Sequence, residues 1–295
     1  MIDSYAIDKP QEPRPMIIDI HTHIFPDAVK ENREVYFKGE PAFELLYDSP
    51  KSKIAGAEEI ISTMDAQGVD RSVVFGFPWK NIATCRMHND YILDAVKRYP
   101  DRLIGFCCLD PAHPDAAAEA ERCLEAGLSG LGELAFYDSG FTPKTFEQLS
   151  PLMAQCRNAD LPVLIHTNEP VGHFYPGKSP MTLQELYRLI RTFPDNKIVL
   201  AHWGGGIFFY HLMRKEVKDA LANVYVDTAA SPYLYDMNIY RLAVEIFGAD
   251  KILFGSDYPL LEPDRYFDPL RESGLSPSEI EEVSGLAAGR LLKLY

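Results

Sequence analysis

The stretch IIDIHTHIFP, residues 17–26, governs how the rest of the chain is read. An apolar run ends in two histidines one residue apart, and a proline closes the stretch. On a strand, residues i and i+2 project to the same face. His21 and His23 can therefore turn together toward one ion. Imidazole nitrogen combined with carboxylate oxygen suits zinc, manganese or iron(II). The pair alone is a moderate signal, because a chain with eight histidines yields about 0.2 such spacings by chance. The remaining ligands must come from elsewhere in the sequence.

The chain has 295 residues, 46% hydrophobic and 24% charged, with a formal net charge of −14. That composition supplies core material for a soluble globular protein of one large domain. The acidic balance, with no run of lysines or arginines, argues against nucleic acid and anionic membrane as partners. No stretch reaches the apolar length of a bilayer span. The first fifteen residues, MIDSYAIDKPQEPRP, mix charge and proline and carry no apolar signal core. They are expected to be a polar N-terminal arm on a cytoplasmic protein. Five cysteines, Cys85, Cys107, Cys108, Cys123 and Cys156, lack C-x-x-C spacing and read as reduced, buried thiols.

Eight short apolar runs alternate with helical patterns. They are MIIDI (16–20), SVVFGF (72–77), RLIGFCCLDP (102–111), LSGLGELAF (128–136), LPVLIHT (161–167), NKIVLAHWGGG (196–206), VYVDTAA (224–230) and KILFGSDYP (251–259). Helical spacing lies between them, as in GAEEIISTMDAQGVD (56–70), where Gly68 signals a C-cap, and HLMRKEVKDALAN (211–223). TFEQLSPLMAQCRNAD (145–160) reads as a helix, with Pro151 a mild objection to its continuity. Near-continuous apolar strands are buried on both faces. Eight strand–helix units, with no G-x-G-x-x-G after the first strand, predict an α/β fold, a (β/α)8 TIM barrel over 16–295. The segment at about 24–55 is long enough to cover the barrel mouth.

Chemistry in such a barrel sits at the C-terminal ends of the strands. Those ends carry His21 and His23, His166, His202, Asp227 and Asp257, with Glu133 inside the fourth strand. Four of the eight strands thus offer a histidine or aspartate in register with the first pair.

The segments DIHTHIFP, NDYILDAVKRYPDRLIGFCCLDP, VLIHT, VLAHWGGG and ILFGSDYP resemble the amidohydrolase superfamily. Within it they look most like the amidohydrolase-related branch of metal-dependent hydrolases and decarboxylases that includes aminocarboxymuconate semialdehyde decarboxylase. The resemblance runs from Ile17 to the terminal GLAAGRLLKLY. There the family usually has an asparagine before the alanine pair, and this chain has Leu286. The resemblance implies a divalent ion, zinc before manganese or iron(II), held by His21, His23, His166 and Asp257. It implies His202 beside the ion as base or oxyanion stabiliser, and Asp257 as proton carrier. Glu133 looks like the bridging glutamate of TatD-type nucleases, so one ion is expected and two if Glu133 bridges.

The expected activity is hydrolysis of a small amide, ester or lactone by metal-activated water. The alternative is nonoxidative decarboxylation of a ring or unsaturated carboxylic acid. A metal-free binding barrel would leave the ligand set without a purpose. The loop TNEPVGHFYPGKSP (167–180) offers Asn168, Glu169, His173, Tyr175 and Lys178 as substrate contacts. Trp79 and Trp203 are candidates for an apolar wall. Arg86, Lys178 and Arg241 could clamp a carboxylate. His88, His113 and His211 fall outside the strand ends and read as structural, and Asp19 as a brace for strand one. A small-molecule substrate and a homodimer are the expected partners.

Overall fold

The computed structural model describes residues 15–138 and 140–295. Apart from Pro15, the polar arm expected over residues 1–15 lies outside the described residues. The apolar runs form eight strands: β1 (Ile18–His23), β2 (Arg71–Phe75), β3 (Leu103–Gly105), β4 (Leu131–Leu134), β5 (Val163–Ile165), β6 (Ile198–Leu200), β7 (Val224–Asp227) and β8 (Ile252–Leu253). Parallel ladders join β1 to β3 and β4 to β8. A bridge between Cys107 and Leu131 joins the two sets on one side. On the other, Thr22 bridges Tyr258, and the Ile20 and His23 amides donate to the Phe254 and Tyr258 carbonyls at 2.8 and 2.7 Å. The sheet closes into a (β/α)8 barrel.

Alternation along the strands sorts the core into two layers. Val73, Phe75, Ile104, Leu164, Val199 and Leu253 join an inner cluster, on which the C-terminal Ala287, Ala288 and Leu291 pack. Val74, Val163, Ile165, Leu200 and Val226 face the surrounding helices.

Two strands break the alternation. In β1, Asp19 opposes Ser72 and Thr22 opposes Val74, so Ile20 and His21 together stand across from Val73. A bulge of this kind re-aims side chains. It keeps Ile18 and Ile20 in the inner cluster and still turns His21 and His23 inward, both rings against Phe75. In β4, Leu131 opposes Val163 and Leu134 opposes Ile165, which leaves Gly132 and Glu133 sharing the place across from Leu164. Both leucines face the helices. Gly132 has φ 129, and a Cβ there would strike the Leu164 carbonyl oxygen. Only glycine suits that backbone.

The β6 region departs from the expected strand over 196–206 and helix over 211–223. The strand stops at Leu200, His202–Leu212 coils in tight turns, and the helix covers only Lys215–Ala220. The cause is a left-handed run: His202, Trp203, Gly204, Gly205 and Gly206 have φ of 55, 62, 59, 58 and 89. A Cβ at Gly205 would meet the Asn168 carbonyl oxygen, so the missing side chain lets the β6 and β5 loops touch. The helix Pro143–Ala159 runs through Pro151 unbroken. Among the described residues no helix is long and apolar enough to cross a membrane. All five cysteines are free and buried.

Phe25, Phe43 and Tyr47 of the segment after β1 pack around Phe77 and Trp79. His88, on the helix Ile82–Arg98, ties this cluster together. Its Nε2–H donates to the Ile24 carbonyl at 2.7 Å, and its Nδ1 accepts from the Trp79 indole at 2.9 Å. The ring must be neutral to do both, and burial holds its pKa down to about 4. A histidine depressed in the folded state gives stability that is complete above its unfolded pKa and is lost as pH falls toward the folded one. From about 6.5 down to 4 this amounts to about 3 kcal/mol. The substitution His88→Phe should destabilise the protein at pH 7, and its disadvantage in urea unfolding should shrink by pH 4.5. A gap independent of pH would show that His88 does not titrate this way.

Candidate metal centre

Each of four histidines has one ring nitrogen tied down and the other turned to a common point. His21 Nδ1–H donates to Asp227 Oδ2 at 2.8 Å. His23 Nδ1 and His202 Nδ1 each lie 3.1 Å from a carbonyl, of Gly76 and Ala229 respectively. His166 Nε2 lies 2.9 Å from the Gly177 carbonyl. A carbonyl only accepts, so the tied nitrogen carries the proton, and at His21, His23 and His202 the other nitrogen keeps a lone pair, whereas His166 Nδ1 is also within hydrogen-bond reach of Glu133.

Those lone pairs converge on two carboxylates. His21 Nε2 is 3.7 Å from Glu133 Oε1 and 3.6 Å from Asp257 Oδ1. His23 Nε2 is 3.7 Å from Glu133 Oε2 and 3.6 Å from Asp257 Oδ1. His202 Nε2 stands 3.6 Å, and His166 Nδ1 2.9 Å, from Glu133 Oε1. Gaps of 3.6–3.7 Å exceed a hydrogen bond. They are close to the spacing of two ligands on one ion, roughly 3.4–3.6 Å for tetrahedral bonds of about 2.1–2.2 Å. His21 Nε2 is buried and has no hydrogen-bond partner. A lone pair facing carboxylates without a proton between them is repulsive unless a cation intervenes. The donor set therefore fits a divalent metal ion, and three overlapping sets of its atoms lie within 4.8 Å of one another.

The electrostatics point the same way. Burial alone would keep His21 neutral, yet the carboxylates of Asp227, Glu133 and Asp257 outweigh it and push its pKa up to about 10. Burial opposes the charge of Glu133, but His166 and His21 hold its carboxyl well below the usual range. His202 is raised against its burial by Glu133 and Asp257, whereas burial prevails at His23 and lowers it. This is a buried anionic cage in need of positive charge.

Two aspartates hold the cage. Asp227 accepts from the His21 ring and, through Oδ1, from the His202 and Ala229 amides at 2.8 and 3.0 Å. It fixes two of the four histidines, a role its strand-end position hinted at but did not define. Asp19 accepts from the His21 amide at 3.1 Å, and from the Ser256 amide and hydroxyl at 2.9 and 2.5 Å. It braces β1 to β8 beside Asp257. His202 and Asp257 sit in the left-handed region at φ 55 and 64, where non-glycine residues are strained and tend to mark functional sites.

The loop after β5 covers a cleft of about 470 Å³ lined by Tyr137, Asn168, Phe174 and Lys178 among others. Its polar side chains are spent on one another. Glu169 accepts from Lys178 at 2.8 Å and from Tyr175 at 2.9 Å. Asn168 accepts from the Ser179 amide and hydroxyl. His173 is exposed, and only its carbonyl joins the network, accepting from Lys178. The apolar wall expected of Trp79 and Trp203 does not form. Both are fully buried, with their indole N–H groups committed to His88 and to Ser231 Oγ. His211 Nδ1 meets the Ile246 carbonyl and His113 Nδ1 accepts from the Asp115 amide, both away from the centre.

The family model described as amidohydrolase matches residues 18–294. A gamma-resorcylate decarboxylase of Polaromonas sp. is 25% identical over 256 residues, 72% of this chain and 76% of its own. The crystal structure of 5-carboxyvanillate decarboxylase from Sphingomonas paucimobilis superposes with a TM-score of 0.74 at 19% identity, covering 95% of this chain and 99% of that one. A dihydroxybenzoic acid decarboxylase from Polaromonas sp., solved with bound manganese, superposes at 0.67 with 18% identity, covering 95% and 98%. These comparisons overturn the expectation of a hydrolase acting on an amide, ester or lactone. The curated relatives are decarboxylases, which favours the alternative. Nor do they single out zinc.

Proposed function

The chain belongs to the amidohydrolase family, and from that premise we propose that it is a metal-dependent nonoxidative decarboxylase of a ring carboxylic acid. The observation that carries this reading is the buried cage of four histidines around Glu133 and Asp257, in a chain whose curated relatives are decarboxylases. His21, His23, His166 and Asp257 would hold one divalent ion, with Glu133 as a further ligand. The manganese of the Polaromonas enzyme makes manganese the first metal to try. A two-ion reading is favoured by one feature: Glu133 Oε1 faces His166 and His202 while Oε2 faces His23. Metal analysis at saturation separates one ion per chain from two.

When bound, the ion supplies a Lewis acid that draws substrate negative charge toward it. Asp257 carries the proton that replaces the carboxylate on the ring carbon. The carbon–carbon bond then breaks, its electron pair stays with the ring, and carbon dioxide leaves. His202, fixed through Nδ1–H to the Ala229 carbonyl and made more basic by Glu133 against its burial, would carry a second proton on Nε2 and donate a hydrogen bond from it to the departing carboxylate. The segment 24–55 keeps water from the centre, and the barrel over 16–295 acts as one domain. We place the enzyme in the cytoplasm as a homodimer, with no nucleic acid or membrane partner, in keeping with its net charge of −14.

The test is a panel of ring and unsaturated carboxylic acids given to manganese-loaded protein, with carbon dioxide followed separately from hydrolysis. Carbon dioxide should appear in step with loss of the acid, stop on chelation and return with metal. Fully metallated protein that releases none from the panel would refute the reading.

A further inference from the structure

Three of the four histidine anchors belong to the rim of the barrel. Asp227 closes β7, Gly76 directly follows β2, and Ala229 lies just beyond β7. Each ties down Nδ1 and leaves Nε2 to the centre. His166 is held the other way round. Its Nε2–H donates to the Gly177 carbonyl at 2.9 Å, eleven positions along the chain, and its Nδ1 faces Glu133. Gly177 lies in the loop between β5 and the helix Leu183–Thr192. No strand ladder fixes that carbonyl, so the loop has to fix it by its own bonds.

Those bonds gather on Lys178, the next residue. Its amide donates to the Tyr175 carbonyl at 3.1 Å and closes the turn that carries Gly177. Its ammonium donates to Glu169 Oε1 at 2.8 Å, to the Val171 carbonyl at 2.5 Å and to the His173 carbonyl at 3.3 Å. An ammonium has three N–H donors, and all three are used. A substrate carboxylate would have to displace one of them. Glu169 accepts a further bond from the Tyr175 hydroxyl at 2.9 Å, and Asn168 accepts from the Ser179 amide at 2.8 Å, which closes the loop on the other side of Gly177. The Lys178 and Glu169 side chains are 13% and 17% exposed, so salt screens the pair little.

We propose that Lys178 is a positioning residue for the metal centre: by clasping the loop after β5 it fixes the Gly177 carbonyl, and through it the His166 ring, and so sets how long the ion is held. The inference rests on the metal-ion reading of the centre and not on which bond the enzyme breaks.

The test is metal release. Manganese-loaded protein is mixed with excess chelator, and the manganese retained after desalting is measured over time. Lys178→Met, which keeps the length of the side chain and removes its three donors, should release manganese about tenfold or more faster than the wild type. Glu169→Gln, which loses the charge, should shift release the same way. The double variant should be no faster than Lys178→Met, because both changes open one clasp. A second readout is the water exchange of the imidazole N–H protons in cobalt(II)-loaded protein, resolved by their paramagnetic shifts. One of them should exchange faster in Lys178→Met while the others keep their rates, whereas general loosening would move all together. Melting temperatures identify a variant that fails to fold, in which case the other decides. Release at the wild-type rate in the folded variants, or faster exchange of every imidazole N–H, overturns the clasp and leaves the metal reading intact. Wild-type protein that takes up neither manganese nor cobalt overturns both.

Discussion

Asp257→Asn should cut carbon dioxide release by about 10³-fold or more while the protein keeps much of its metal. The loss corresponds to about 4 kcal/mol of barrier, in the range for removing a positioned acid or base. The substitution isolates the proton because it preserves nearly everything else. Asparagine tolerates the left-handed backbone at φ 64. Its amide oxygen can take the place of Oδ1, 3.6 Å from the free nitrogens of His21 and His23. It cannot carry the carboxyl proton. Metal analysis of dialysed protein, set beside the carbon dioxide assay, separates the two effects. Turnover like that of the wild type would show that another group delivers the proton.

The second large effect is expected at a residue that has no side chain at all. Gly132→Ala should lower stability by about 2–4 kcal/mol and weaken metal binding about 10- to 100-fold. The added Cβ has to enter a backbone region closed to L-residues, φ 129, and collide with the Leu164 main chain. Relief of the collision flattens the bulge and swings Glu133 away from His166 and His202. Gly68→Ala is the control. It sits at φ 74 with nothing within 4 Å of the added carbon, so it bears the backbone cost without the collision. That cost is about 1 kcal/mol. Calorimetry and metal titration compare the two. If Gly132→Ala melts and binds metal like Gly68→Ala, the bulge does not aim Glu133.

The barrel was legible because buried parallel strands admit polar residues mainly where they reach the mouth. His166 and Asp257 stand out against VLI and ILFGS for that reason. The aim of the side chains was less legible. Strict alternation would place either Ile20 or His21 inside, and the chain puts both there by slipping the register. Leu131 and Leu134 give no warning that two residues between them share one place. Three of the histidine anchors are carbonyls of Gly76, Ala229 and Gly177, and a carbonyl has no signature in sequence. The tryptophans looked like a wall because their partners lie nine and 28 positions away and meet them only in the fold. Hydrolysis and decarboxylation were inseparable at that level, since both use the same donors.

The anchoring of the histidines by main-chain oxygens also bears on how the protein can drift. A side-chain anchor can be erased by one codon change, but a carbonyl is present whatever residue bears it. The rings of His23, His166 and His202 are therefore insulated from substitutions at the residues whose carbonyls anchor them, provided the backbone path holds, although the His202 amide is not. His21 is the exposed flank of this arrangement. Its anchor is the carboxylate of Asp227, which also holds the His202 amide. Lineages diverging in substrate can rework the lining around the mouth freely, while Asp227 is the one anchoring position where a single replacement would misalign two histidines at once.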